Sequence, residues 1–129
     1  MSFALLFGTA FTSISAQEPM PRDEFMKITD NALDALDKLG TIFSSTGSTK
    51  MESKLAQNDI DIALMKFDLY ESYKITKAQH EIIVAISMAD LTYMPMVIAG
   101  SVDVKLYNTA KLYTQKAHDL IEKYKTNKK

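Results

Sequence analysis

Apolar residues recur at three- and four-residue spacing along most of this chain. Phe25, Ile28, Ala32, Leu36, Leu39 and Phe43 form one such row, widened by Met26 and Leu33. Asp30, Asp34, Asp37 and Lys38 hold the other side, which is the pattern of an amphipathic helix. Arg22-Asp23-Glu24 opens it with acid in the first turn, where the helix dipole favours negative charge. Ser44 to Thr49 reads as a loop. A second helical stretch runs from about Lys50 to Lys74 and carries two apolar rows. One is Met51, Leu55, Ile62, Met65, Leu69 and Tyr73; the other is Ile60, Ala63, Leu64, Phe67 and Tyr70. Asp59-Ile60-Asp61-Ile62 alternates as a strand would, but the longer helical period outweighs it. After a break at Gly100-Ser101, a last helix over about Val104 to Lys125 turns Leu106, Ala110, Tyr113, Ala117, Leu120, Ile121 and Tyr124 inward. Thr126 to Lys129 is a polar, basic tail.

Between these lies the most apolar run of the chain, and inside it a helix-start pattern. Ser87 stands where its hydroxyl could cap the N–H of Asp90, whose carboxylate could reach back to Ser87, a capping box. Ile86 and Leu91 occupy the two positions of a hydrophobic staple. The pattern predicts a helix from Met88 to about Ala99. It makes 75–85, with the β-branched run Ile82-Ile83-Val84, an irregular or short helical connector. Ile82 to Gly100 approaches the length and apolarity of a membrane span. Asp90, Tyr93, Pro95 and a cap at Ser87 predict a buried core helix instead, with no membrane span.

Composition narrows the classes. At 129 residues the chain has room for one domain, and four glycines and three prolines suit a mostly helical one. Fifteen basic residues against sixteen acidic, with no basic stripe among aromatics, exclude a nucleic-acid surface. The absence of cysteine excludes disulfides, thiolate chemistry and Cys-based zinc sites, and fits a cytoplasmic setting. Residues 1–16 complicate that. They resemble the apolar part of a secretory signal with a cleavage point after Ser15 or Ala16, although the first positive charge is Arg22. The alternatives are a secreted protein or a truncated helix. Glu18-Pro19-Met20-Pro21 reads as a linker, which divides the chain into a segment 1–21 and a helical domain 22–129.

Chemistry-bearing clusters are sparse. Met94-Pro95-Met96 with His80 has the soft ligand types of copper(I), but methionines in an apolar run are ordinary core residues. His80 and His118 are preceded three residues earlier by Lys77 and Gln115, which breaks the di-iron carboxylate pattern. Ser13, Ser15 and Ser101 lack a nucleophile elbow, and Asp59, Asp61 and Asp68 read as a solvated helix face.

One family resemblance can be drawn. Ser87-Met88-Ala89-Asp90-Leu91-Thr92-Tyr93-Met94-Pro95 resembles the segment that opens the central helix of the glutathione transferase C-terminal domain. Leu55-Ala56 with Met65-Lys66-Phe67-Asp68-Leu69-Tyr70-Glu71, and Tyr107 to Tyr113, are similar to flanking motifs of phi-like members. The glycine turn before the cap and the late tryptophan of that pattern are absent, and nothing resembles the thioredoxin-like domain that holds glutathione. The resemblance implies an all-α bundle of four or five helices that supplies the pocket for a small hydrophobic electrophile in detoxification. Phe25, Met26, Thr29 and Tyr93 would be its lining, with no catalytic residue, metal or covalent cofactor. Glutathione would be co-substrate if the chain pairs with a thioredoxin-like domain, and a homodimer is the other expected partner. Two further readings stay open: a non-catalytic interaction module, and a secreted helical binding or inhibitor protein.

Overall fold

The apolar row from Phe25 to Phe43 becomes the buried side of a 23-residue helix, α1 (Arg22–Ser44). Pro21 precedes it, where a missing N–H costs nothing, and its carbonyl accepts from Phe25 N–H at 2.9 Å. The computed structural model describes residues 18–44, 50–69 and 73–126, and side chains within 20–44, 50–67 and 75–126. The segment 1–16, the 45–49 loop and the 127–129 tail end lie outside the described residues. Three more helices follow: α2 (Lys50–Leu69), α3 (Lys77–Ala99) and α4 (Val104–Thr126). The chain is an all-α bundle.

α2 buries only the second of its two apolar rows. Ile60, Ala63 and Phe67, with Ala56, enter the core. Met51, Leu55, Ile62 and Met65 stay 65%, 59%, 43% and 55% exposed. The helix ends at Leu69 rather than near Lys74. The two-residue strands β1 (Glu18–Pro19) and β2 (Tyr73–Lys74) pair in parallel instead, so Glu18-Pro19 is a pairing segment rather than a free linker.

The helix start predicted at Ser87 is corrected. α3 begins at Lys77, eleven residues before the expected first residue Met88. Thr76 is its N-cap in extended backbone (φ −74°, ψ 164°), and Gln79 completes the box. Gln79 N–H donates to Thr76 Oγ1 at 3.1 Å, and Thr76 N–H donates to Gln79 Oε1 at 3.0 Å. Ser87 and Asp90 therefore lie inside a continuous helix, where i→i−4 bonds already occupy their N–H groups and a cap has nothing to satisfy. The Ile86–Leu91 staple fails with it: Ile86 is buried and Leu91 is 57% exposed. The end is as expected. Gly100 closes α3 in the left-handed region (φ 74°), its N–H on the Met96 carbonyl at 2.7 Å.

The helices form an up-down-up-down bundle, α1 against α2 and α3 against α4, with α2 beside α3 and α1 beside α4. At one end Phe25 packs against Phe67 and Tyr124, ring centres 5.4 and 5.3 Å away. Arg22 caps that cluster, its guanidinium 4.3 Å above the Tyr124 ring and hydrogen-bonded to the Tyr124 carbonyl. At the other end Phe43 stacks on Tyr93, centres 6.0 Å apart. By length and composition alone α3 could cross a membrane (mean hydropathy 1.9), and 44% of its most apolar window is buried in the bundle.

Candidate functional site

The four residues expected to line an electrophile pocket do not come together as one. Phe25, Thr29 and Tyr93 have no exposed surface, and Met26 is half-buried against the same core. Thr29 uses its hydroxyl locally, donating to the Met26 carbonyl at 3.1 Å. None of the four lines any surface cavity described below. Their helical spacing reports core packing.

Tyr93 is the more unusual of them. Its ring is fully buried and its hydroxyl has no hydrogen-bond partner. Thr114 lies beside it but donates its own proton to the Ala110 carbonyl at 2.8 Å. Burial first, with smaller contributions from Tyr107 and Asp37, pushes the phenol up to about 12, and the Thr114 hydroxyl offsets part of this. It stays protonated and is out of reach of solvent. Gly40 on α1 makes room for it: a Cβ there would sit 3.3 Å from Tyr93 Oη.

Asp90, read in sequence as a capping residue, is a buried acid facing α2. It is 4% exposed, and Gln57 Nε2 donates to its Oδ1 at 3.2 Å and to its carbonyl at 3.4 Å. Its carboxyl also shares a hydrogen bond with Asp61, one turn beyond Gln57. Burial first, then the Asp61 hydrogen bond and charge, raise Asp90 from 3.8 to about 7, and Gln57 offsets part of this. Two carboxyls at hydrogen-bonding distance require one proton between them. This pair ties α2 to α3, with Asp90 buried and Asp61 at the surface.

Gln79 is the polar hub the sequence reading passed over. Besides its capping bond, its side-chain amide donates to Tyr124 Oη at 3.0 Å and to the Met20 carbonyl at 3.3 Å. The readable signal was Thr76-Lys77-Ala78-Gln79, a Thr-x-x-Gln capping box preceding the apolar run.

The surface feature with binding character is a groove of about 510 Å³ between α3 and α4. Val84, Ala85 and Met88 form one wall and Tyr113 and Leu120 the other, with Lys116, Lys123, His80 and Glu81 at the rim. Lys116 and Lys123 are two turns apart on α4, on the side that faces α3. Two smaller depressions, about 260 Å³ between α1 and α2 and about 360 Å³ between α1 and α4, are lined by charged residues. Near the second, His118 Nε2 meets the Asp37 carboxylate at 3.0 and 3.1 Å, an exposed pair. Among the described residues no three His, Cys, Asp or Glu side chains converge on a metal position. His80 lies about 20 Å along α3 from Met94 and Met96, so the copper ligand set is not assembled. No family model, curated protein or solved structure matches this chain.

Proposed function

We propose that this bundle is a binding module for a small amphiphile with an anionic head, held in the α3–α4 groove. The observation that carries the reading is a groove with an apolar lining whose charged residues are Lys116 and Lys123 on α4 and Glu81 on α3, two cations against one anion. An alkyl tail lies along Val84, Met88 and Leu120, and a carboxylate or phosphate head meets Lys116 and Lys123. The volume of about 510 Å³ is in the range of small-molecule sites. The reading keeps a hydrophobic ligand, as the sequence suggested, and moves its place. A glutathione transferase-like role in detoxification would need a pocket on Phe25, Met26, Thr29 or Tyr93, and those side chains are engaged in the core. On the binding reading α3 remains a packed helix with one face toward the ligand, in either a cytoplasmic or a secreted setting.

Calorimetric titration with dodecanoate tests this, with dodecyltrimethylammonium as the cationic counterpart. Dodecanoate should bind and the cation should not. Lys116→Glu combined with Lys123→Glu should weaken dodecanoate about tenfold or more, two partly exposed ion pairs being worth about 1 kcal/mol each at most. Equal binding of both amphiphiles, or indifference to the double substitution, would refute the assignment.

A further inference from the structure

The charges of the α3–α4 groove are not spread evenly along it. Two ties bracket the groove and set its register. At one end Gln79 donates to Tyr124 Oη at 3.0 Å; beyond the other, Tyr93 lies beside Thr114. The two helices run antiparallel, so Glu81 falls level with Lys123, and Met88 falls level with Lys116 and Tyr113. Lys116 and Lys123 stand two turns apart, about 10 Å along α4. Side chains lean toward the N-terminus of their own helix. Both lysines therefore lean the same way and keep that spacing, while Glu81 leans the opposite way. Along the groove the charges run in one order: Glu81, Lys123, Lys116. None of the three is within ion-pairing distance of a partner among the described residues. The other acids of this part of α4 leave that order intact. Asp119 accepts from Gln115 Nε2 at 2.9 Å outside the groove, and Glu122 faces the depression between α1 and α4.

We propose that the groove is polarised and takes a singly charged carboxylate, with the head at the Lys116 and Tyr113 end and the tail running past Met88, Val84 and Leu120 toward His80. This rests on the ligand reading above and narrows it to one orientation and one head charge. Glu81 sets both. A head at the Lys123 end would lie beside the Glu81 carboxylate, where like charges repel; at the Lys116 end it is farthest from that charge. Tyr113, half-buried and three positions before Lys116, adds an O–H donor on the same side of α4. The charged lining sums to one net positive charge with histidine counted neutral, which one carboxylate matches. A phosphate monoester brings about −1.5 to −2 near pH 7 and leaves an excess of negative charge in the same groove as Glu81.

Calorimetry at about 20 mM salt, where exposed charges are least screened, separates the orientation from the site itself. Dodecanoate should bind more tightly than dodecyl phosphate, and Glu81→Gln should remove or reverse that preference. Lys116→Gln should weaken dodecanoate about fivefold, the top of the range for an exposed ion pair, and Lys123→Gln about twofold. All three side chains are exposed, so circular dichroism should stay helical in each variant. The chain has two histidines, which gives the orientation a direct readout. A nitroxide on the last carbon of dodecanoate should broaden the His80 ring resonances more than the Met88 methyl, with His118, paired to Asp37 of α1, as the control. Tighter binding of the phosphate, or an unchanged preference in Glu81→Gln, overturns the proposal. So does a loss at Lys123→Gln equal to that at Lys116→Gln, or stronger broadening at Met88. In each of those cases dodecanoate still binds, and the groove reading stands without the polarity. A chain that does not bind dodecanoate overturns both.

Discussion

Asp90 and Tyr93, three residues apart on α3, carry polar groups into the core in opposite ways. Asp90 is satisfied, by Gln57 and by a proton shared with Asp61. Because its folded-state value is raised from 3.8 to about 7, the folded chain holds that proton more tightly than the unfolded one. The stabilisation is complete below about pH 4 and is lost as pH rises through about 7. Urea midpoints measured from pH 4 to 8 should fall over that window. Asp90→Asn keeps an acceptor for Gln57 and should flatten the profile; a slope as steep as wild type would contradict the assignment. Tyr93 is unsatisfied. Tyr93→Phe removes a buried hydroxyl with no partner and should leave stability unchanged or raise it by about 1 kcal/mol. Gly40→Ala should be near neutral in the native chain, where the new methyl meets the phenol oxygen, and stabilising by up to about 1 kcal/mol in the Tyr93→Phe background. Thermal unfolding of the four combinations measures the coupling.

At the level of helices, the cap of α3 separates two sequence patterns that look alike. Thr76-x-x-Gln79 and Ser87-x-x-Asp90 both have the polar spacing of a capping box, and β-branched residues between them favour the later one. Tertiary burial of Ile82, Ala85 and Ile86 overrides that propensity and carries the helix through. Thr76→Ala should therefore cost about 1 kcal/mol, whereas Ser87→Ala should stay within about 0.5 kcal/mol of wild type. A larger loss at Ser87 than at Thr76 in chemical denaturation would reverse the assignment. α2 shows a related ambiguity. Its two apolar rows are equally good as pattern, and only the position of α1 and α3 selects Ile60, Ala63 and Phe67 for the core.

Over the whole bundle, the end of the last helix is tied to the start of the first. Tyr124 lies under Arg22, packs edge-on against Phe25 and accepts from Gln79. It thus joins α4 to α1 and α3 across 102 positions of chain between Arg22 and Tyr124. Tyr124→Ala should cost about 2–3 kcal/mol, because packing is lost and the buried Gln79 amide loses a partner. Tyr124→Phe should cost about 1 kcal/mol, the hydrogen bond alone. A chain that unfolds at the same denaturant concentration with alanine there would show that the helix ends are held by other means.

Helical periodicity was enough to place α1 and α4 and the close of α3 at Gly100, because spacing of three and four records a buried side directly. Periodicity is silent on which neighbour covers a side. The exposed row of α2, the outer face of α3 and the groove beside Lys116 and Lys123 came into view only with the helices assembled. The same assembly moved Phe25, Thr29 and Tyr93 from a ligand pocket into the core, and turned Asp90 from a cap into a protonated acid. Local pattern fixes which residues can share a helix face; burial, a property of the packed bundle, decides what each face meets.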